Sequence, residues 1–161
     1  MPEVLNQRVV LETGCFKQLP EWVKGYAFET IFCVSGEQSF KQEAVQNVFQ
    51  SLAEHYPVVR FFDFSKNPKI SDVQRGVDAF RSCKMPLVLA IGGGSVLDMA
   101  KLIYYFGWLD ESIDSFFSEK QTAQTQRLPG GLIAIPTTAG TGSESTQFAT
   151  VYIDETKQSL D

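Results

Sequence analysis

The residues best suited to chemistry are those that follow an apolar run, Leu87–Ile91: Gly92-Gly93-Gly94-Ser95, then Val96-Leu97-Asp98-Met99-Ala100-Lys101. Three residues without Cβ let other atoms approach the backbone. A helix starting at Ser95 would present first-turn N–H groups that lack intrahelical acceptors, at the positive end of its dipole. Such a turn can hold a phosphate. It is neither of the common phosphate loops, because G-x-G-x-x-G would need glycine at Leu97 and no Gly-Lys-Ser/Thr follows. A plainer reading is compatible with this one: a tight strand-to-helix turn with Ser95 as N-cap and Asp98 closing a capping box.

A second apolar run delivers Pro136-Thr137-Thr138-Ala139-Gly140-Thr141-Gly142-Ser143-Glu144. Its threonines, serine and glycines offer hydroxyls and close backbone approach but little bulk for a core. A polar ligand against this loop is the functional reading, and a surface turn is the bland one. In an open parallel sheet ligands lie beyond the carboxyl ends of the strands, so both loops would face one crevice.

The elements that must position these loops alternate, with short β-branched or aromatic runs separated by stretches of helical period. That pattern describes an α/β domain with a mostly parallel sheet flanked by helices, Rossmann-like in kind. Strands are predicted at Arg8–Glu12, Thr30–Val34, Val58–Phe62, Leu87–Ile91, Leu132–Ile135 and Phe148–Ile153. Helices are predicted over Ser39–His55, over Ser71–Lys84 with Ser71 and Gln74 in capping-box spacing, and from Ser95 onward. The polar stretch Glu119–Pro129 reads as an exposed connection.

Composition sets the outer limits. The 161 residues are 43% hydrophobic and 20% charged, as in one globular domain. A net charge of −5 would repel a polyphosphate duplex, so a nucleic-acid partner is not expected. Cys15, Cys33 and Cys83 form no CxxC pair and read as buried thiols in a reducing, cytoplasmic setting. No apolar run approaches the ~20 residues of a membrane span, so no membrane partner is expected.

The two glycine-rich segments together, Gly92-Gly93-Gly94-Ser95-x-x-Asp98-x-Ala100-Lys101 and Pro136 through Thr146, closely resemble the iron-containing alcohol dehydrogenase family. Gly14 and Asn67-Pro68 extend the resemblance over nearly the whole chain. It implies an N-terminal α/β domain that binds NAD or NADP, here residues 1–161, and a helical C-terminal domain holding a divalent metal, Fe2+ or Zn2+. It also implies that a small alcohol and its aldehyde or ketone are interconverted by hydride transfer.

By this resemblance Gly92, Gly93, Gly94 and Ser95 would bind the pyrophosphate, and Asp98 would lie near the nicotinamide. Thr137, Thr138 and Thr141 would line the adenosine and ribose side, and Ser143 would also belong to the cofactor-binding residues. Asn67 would edge the cleft, and Lys157 would reach the nicotinamide ribose. For Lys101 the alternative is an i,i+3 surface pair with Asp98. The ending Phe148–Tyr152 with Lys157-x-Ser159-Leu160 resembles a branch that includes phosphonoacetaldehyde reductases.

Two departures from the family pattern matter. The second strand ends in Ser35-Gly36 where most of the family has an aspartate for the ribose hydroxyls. Gly36 removes repulsion against a 2′-phosphate, so NADP(H) is expected over NAD(H), with Ser35, Ser39 and Lys41 as candidate phosphate partners; Glu37 argues the other way. The family's Asp-x-x-x-His pair and two later histidines have no counterpart in this chain. His55, the only histidine, reads as a helix-end residue, so no metal site is expected here. The alternative from a different class is a stand-alone, non-catalytic dinucleotide-binding module. A homo-oligomer is expected if an apolar domain face is left open.

Overall fold

The computed structural model describes residues 7–123, 128–154 and 156–160. Four parallel strands form the central sheet: β1 (Thr30–Ser35), β2 (Val58–Phe61), β3 (Pro86–Gly92) and β4 (Leu132–Pro136). Their order is β2-β1-β3-β4. Every residue of β1 and β3 is buried. Near-continuous apolar sequence such as Ile31-Phe32-Cys33-Val34 and Leu87–Ile91 is what a strand covered on both faces requires.

Alternation along these strands divides the core in two. Ile31, Cys33, Leu87, Leu89 and Ile91 pack with α1 (Leu19–Val23) and α3 (Glu43–Ala53) on one face. Phe32, Val34, Val88 and Ala90 pack on the other face with α4 (Ile70–Arg81), α5 (Gly94–Trp108) and α6 (Ile113–Ser118). The short α2 (Glu37–Phe40) follows β1. A hairpin of β5 (Ala149–Ile153) and β6 (Thr156–Leu160) adds Ala149, Val151 and Leu160 to the second core.

Several expectations change. Arg8–Glu12 forms no strand: Val9 and Leu11 are 63% and 90% exposed, and the segment has no ladder partner among the described residues. β-branched composition favours a strand only where a neighbouring edge is paired. The run expected at Phe148–Ile153 is a strand, but it pairs antiparallel with Thr156–Leu160 outside the main sheet. The helix expected over Ser39–His55 is two helices, because Gln42 adopts an extended conformation and starts α3. Neither capping box forms. α4 is preceded by Lys69 without a side-chain cap, and Gln74 instead bonds Asp78; α5 is preceded by Gly93 rather than Ser95. Only Cys33 is buried, while Cys15 and Cys83 are half-buried, and all three thiols are free. The connection Glu119–Pro129 falls partly outside the described residues.

Candidate functional site

From β1 the chain steps outward to β2 on one side, then returns to β3 on the other side of β1 and continues to β4. The switch in direction falls between β1 and β3, and the carboxyl ends of these two strands carry Ser35-Gly36 and Gly92-Gly93. Gly36 N donates to Ile91 O at 3.1 Å and ties the two ends together. A crevice at such a switch is where open parallel sheets receive ligands.

The glycines of this turn serve close approach rather than unusual backbone angles, since Gly36 and Gly93 have φ of −71° and −80°. A Cβ on Gly92 would lie 2.5 Å from Val96 Cγ2. On Gly93 it would lie 3.1 Å from Thr138 Oγ1, and on Gly94 3.3 Å from Thr141 Cγ2. The threonine loop therefore rests directly on the glycine turn. Thr137 N donates to Gly92 O at 2.9 Å, and the Thr137 and Ser39 hydroxyls lie 3.1 Å apart. Gly140 and Gly142 do need their freedom, with φ of +85° and +66° that reverse the loop before Ser143. Val96 N and Leu97 N both donate to Gly93 O, so Gly94 and Ser95 are the first-turn residues whose amides have no intrahelical acceptor. α5 is fifteen residues long, enough for its dipole to favour an anion at this end.

Gly36, Gly92, Gly93, Gly94, Ser95, Thr137, Thr138 and Thr141 are thus brought to one place. Asp98 and Ser143 are used one turn deeper. Ser143 Oγ donates to Asp98 Oδ1 at 2.6 Å, and Thr150 N donates to Asp98 Oδ2 at 3.2 Å. Lys101 Nζ donates to Ser143 Oγ, to Thr146 Oγ1 and, at 2.7 Å, to Phe148 O. Asp98 and Lys101 are therefore not a surface pair: 3.9 Å apart and mostly covered, they fasten the threonine loop and β5 to α5. Burial pushes the Lys101 ammonium below its ordinary value, with Asp98 and Glu144 opposing the shift.

Asn67 and Lys157 are both exposed and are drawn to one neighbourhood by the hairpin. Tyr152 N donates to Pro68 O at 2.7 Å, and Tyr152 stands opposite Lys157 in the ladder. The Asn67 turn is held by Asp72, whose carboxylate accepts from Ser65 Oγ at 2.6 Å and from Arg75 at 2.7 Å. Burial raises the Asp72 carboxyl, but the hydrogen bonds from Ser65 and Arg75 outweigh it and leave the group below its ordinary value. Among the described residues no hydrogen bond joins Asn67 or Lys157 to the glycine turn. His55 is exposed just beyond the end of α3. Lys41 is paired with Glu37 at 2.7 Å.

One residue at this edge escaped the sequence reading. Arg60, on β2, donates from Nε to Ser35 Oγ at 2.7 Å. Its guanidinium lies between the rings of Phe40 and Phe62, 3.9 and 4.2 Å from their centroids. Its Nη2 is buried and has no hydrogen-bond partner. A single charge within Val58–Phe62 was the signal available. Beneath it, burial pushes the Cys33 thiol up to about 12, with Arg60 and Ser35 acting the other way, so this cysteine stays protonated and unreactive.

A cavity of about 740 Å³ lies elsewhere, between the 7–11 segment and β4, lined by Val9, Leu11, Leu132 and Ala134. Its walls are mainly apolar, without the convergent amides of the glycine turn.

A glycine turn and a helix N-terminus at the switch point of a parallel sheet are the marks of an α/β nucleotide-binding domain. The family model for iron-containing alcohol dehydrogenase matches residues 6–161, and the chain belongs to that family. It is 31% identical over 145 residues to long-chain-alcohol dehydrogenase 1 of Geobacillus thermodenitrificans, covering 89% of this chain and 37% of that protein. It is 30% identical over 161 residues to NADH-dependent butanol dehydrogenase A of Clostridium acetobutylicum, covering 95% of this chain and 39% of that one. The crystal structure of sulfoacetaldehyde reductase from Bifidobacterium kashiwanohense in complex with NAD+ superposes with a TM-score of 0.79 at 25% identity, over 91% of this chain and 39% of that chain. The chain thus spans less than two-fifths of the length of these relatives. Among the described residues no three His, Cys, Asp or Glu side chains converge, so they do not fit the iron that the family name implies. No helix among them is long and apolar enough to cross a membrane.

Proposed function

We propose that this chain is the nicotinamide-dinucleotide-binding part of an oxidoreductase that interconverts a small alcohol and its aldehyde or ketone. The observation that carries the reading is the seating of the threonine loop on Gly93 and Gly94 at the N-terminus of α5. The amides of Gly94 and Ser95 bind the pyrophosphate, where the helix dipole adds to their hydrogen bonds. Thr137, Thr138 and Thr141 offer hydroxyls to the ribose and adenosine side. Asp98, Ser143 and Lys101 hold the threonine loop at its distance from the glycine turn. Asn67 and Lys157 edge the cleft at the nicotinamide side. When bound, the dinucleotide supplies or accepts a hydride at its nicotinamide ring. NAD(P) is the cofactor class. The names of the relatives, alcohol dehydrogenases and a reductase of an aldehyde, support the substrate class.

A ligand that binds the folded chain alone raises its thermal midpoint. Cofactor at a hundred times its Kd contributes about 2.7 kcal/mol. Melting the chain with increasing NADH or NADPH should move the midpoint upward in a saturable way. A midpoint indifferent to both would refute the assignment.

A further inference from the structure

The Arg60 guanidinium is held on three sides and unsatisfied on the fourth. Phe40 and Phe62 cover its two faces, and Ser35 accepts from Nε. Nη2 is buried without an acceptor. A buried, unpaired donor on a charged group is costly, and a planar guanidinium is best completed by carboxylate or phosphate oxygens. Among the described residues no carboxylate fills the role: Glu37, the acidic side chain that acts on it, is paired with Lys41 at 2.7 Å. Arg60, Lys41 and Glu37 leave this corner one positive charge in excess, within a chain of net charge −5.

The position matters as much as the charge. Arg60 is bonded to Ser35, the last residue of β1, and Gly36 follows. At Gly36 a Cβ would be 3.4 Å from Ser39 Oγ, which itself lies 3.1 Å from the Thr137 hydroxyl. In a dinucleotide cleft of this topology the end of this strand meets the adenosine ribose. An acidic residue there bonds the free 2′-hydroxyl, whereas an arginine accommodates a 2′-phosphate. Here glycine follows the strand, with a cation behind it.

We infer that Arg60 selects a phosphorylated dinucleotide, donating to the 2′-phosphate of NADP(H), with Ser39 and Thr137 beside it. The inference rests on the cleft assignment above and adds the cofactor preference and the residue that sets it. The aromatic clamp fixes the guanidinium before the ligand arrives, so little side-chain entropy is lost on binding.

The test is titration of the full chain with NADPH and with NADH, read by nicotinamide fluorescence, for the wild type, Arg60→Met and Arg60→Lys. Methionine keeps an unbranched stem between the two rings while removing the charge. The expected result is tighter NADPH binding in the wild type, weakened about tenfold or more in Arg60→Met, with NADH altered less than about twofold. Arg60→Lys should fall between, since it keeps the charge and loses the fork. Adenosine 2′,5′-bisphosphate should compete with NADPH in the wild type, and inorganic phosphate at the same concentration should not. Retained NADH affinity shows that the variants fold. Equal weakening of both cofactors would make Arg60 structural and overturn the inference, as would NADH binding with no NADPH preference or competition by inorganic phosphate. Binding of neither cofactor by the wild type would overturn both this inference and the cleft assignment.

Discussion

Asp98 illustrates how a residue marked by its motif is also tied into the fold around it. Its carboxylate accepts from the Ser143 hydroxyl at 2.6 Å and the Thr150 amide at 3.2 Å, and it faces the half-buried Lys101 ammonium. Asp98→Ala removes two charge-assisted hydrogen bonds and one of the two carboxylates, with Glu144, that offset the Lys101 charge. We expect it to lower stability by about 2–3 kcal/mol in urea denaturation. A loss under about 0.5 kcal/mol would mean that the latch is not held by this carboxylate. The motif made Asp98 and Ser143 legible as important, but their partnership spans 45 residues of sequence. No local pattern records such a pairing. Arg60 was harder still. Its significance depends on Phe40, Phe62 and Ser35 converging on it from separate elements, and the charge alone does not announce this.

At the scale of elements, β1 and β3 were legible because burial on both faces demands unbroken apolar sequence, and their neighbours β2 and β4 followed from the same rule in weaker form. The loops they deliver were legible for a different reason, because glycine and threonine density has no use in a core. The two departures among the strands share one cause. Arg8–Glu12 looks like a strand locally yet lacks a paired neighbour among the described residues, and β5 finds its partner in β6 rather than in the sheet. Pairing is a tertiary fact. Helix packing adds a constraint that propensity opposes. Gly107 lies in α5, where alanine would ordinarily gain about 1 kcal/mol. A Cβ there would lie 2.3 Å from Cδ1 of Phe80, a ring at 2% exposure that also packs edge-on against Phe32 and Trp108. Gly107→Ala should therefore destabilise the chain by about 1–3 kcal/mol, as overpacking does. A rise in the urea midpoint would show that the α4–α5 contact yields more easily than its geometry indicates.

Across the whole molecule the net charge is −5, while one corner holds an unpaired guanidinium nitrogen and one fifteen-residue helix starts at the glycine turn. The parallel order β2-β1-β3-β4 puts the reversal of direction between β1, which Gly36 follows, and β3, which ends in Gly92. Topology and local sequence thus agree on one crevice. In the proposed function this place holds the pyrophosphate of a nicotinamide dinucleotide. The most direct test is a fluorescence titration of the wild-type chain and a Gly93→Val variant with NADPH and NADH, following nicotinamide emission and quenching of Trp22 and Trp108. Valine at this position would press on Thr138, because even a Cβ there would lie 3.1 Å from its hydroxyl. Saturable binding by the wild type and a loss of about tenfold or more in the variant are expected, with circular dichroism unchanged. Equal affinity of the two proteins for the cofactor would contradict the proposed function.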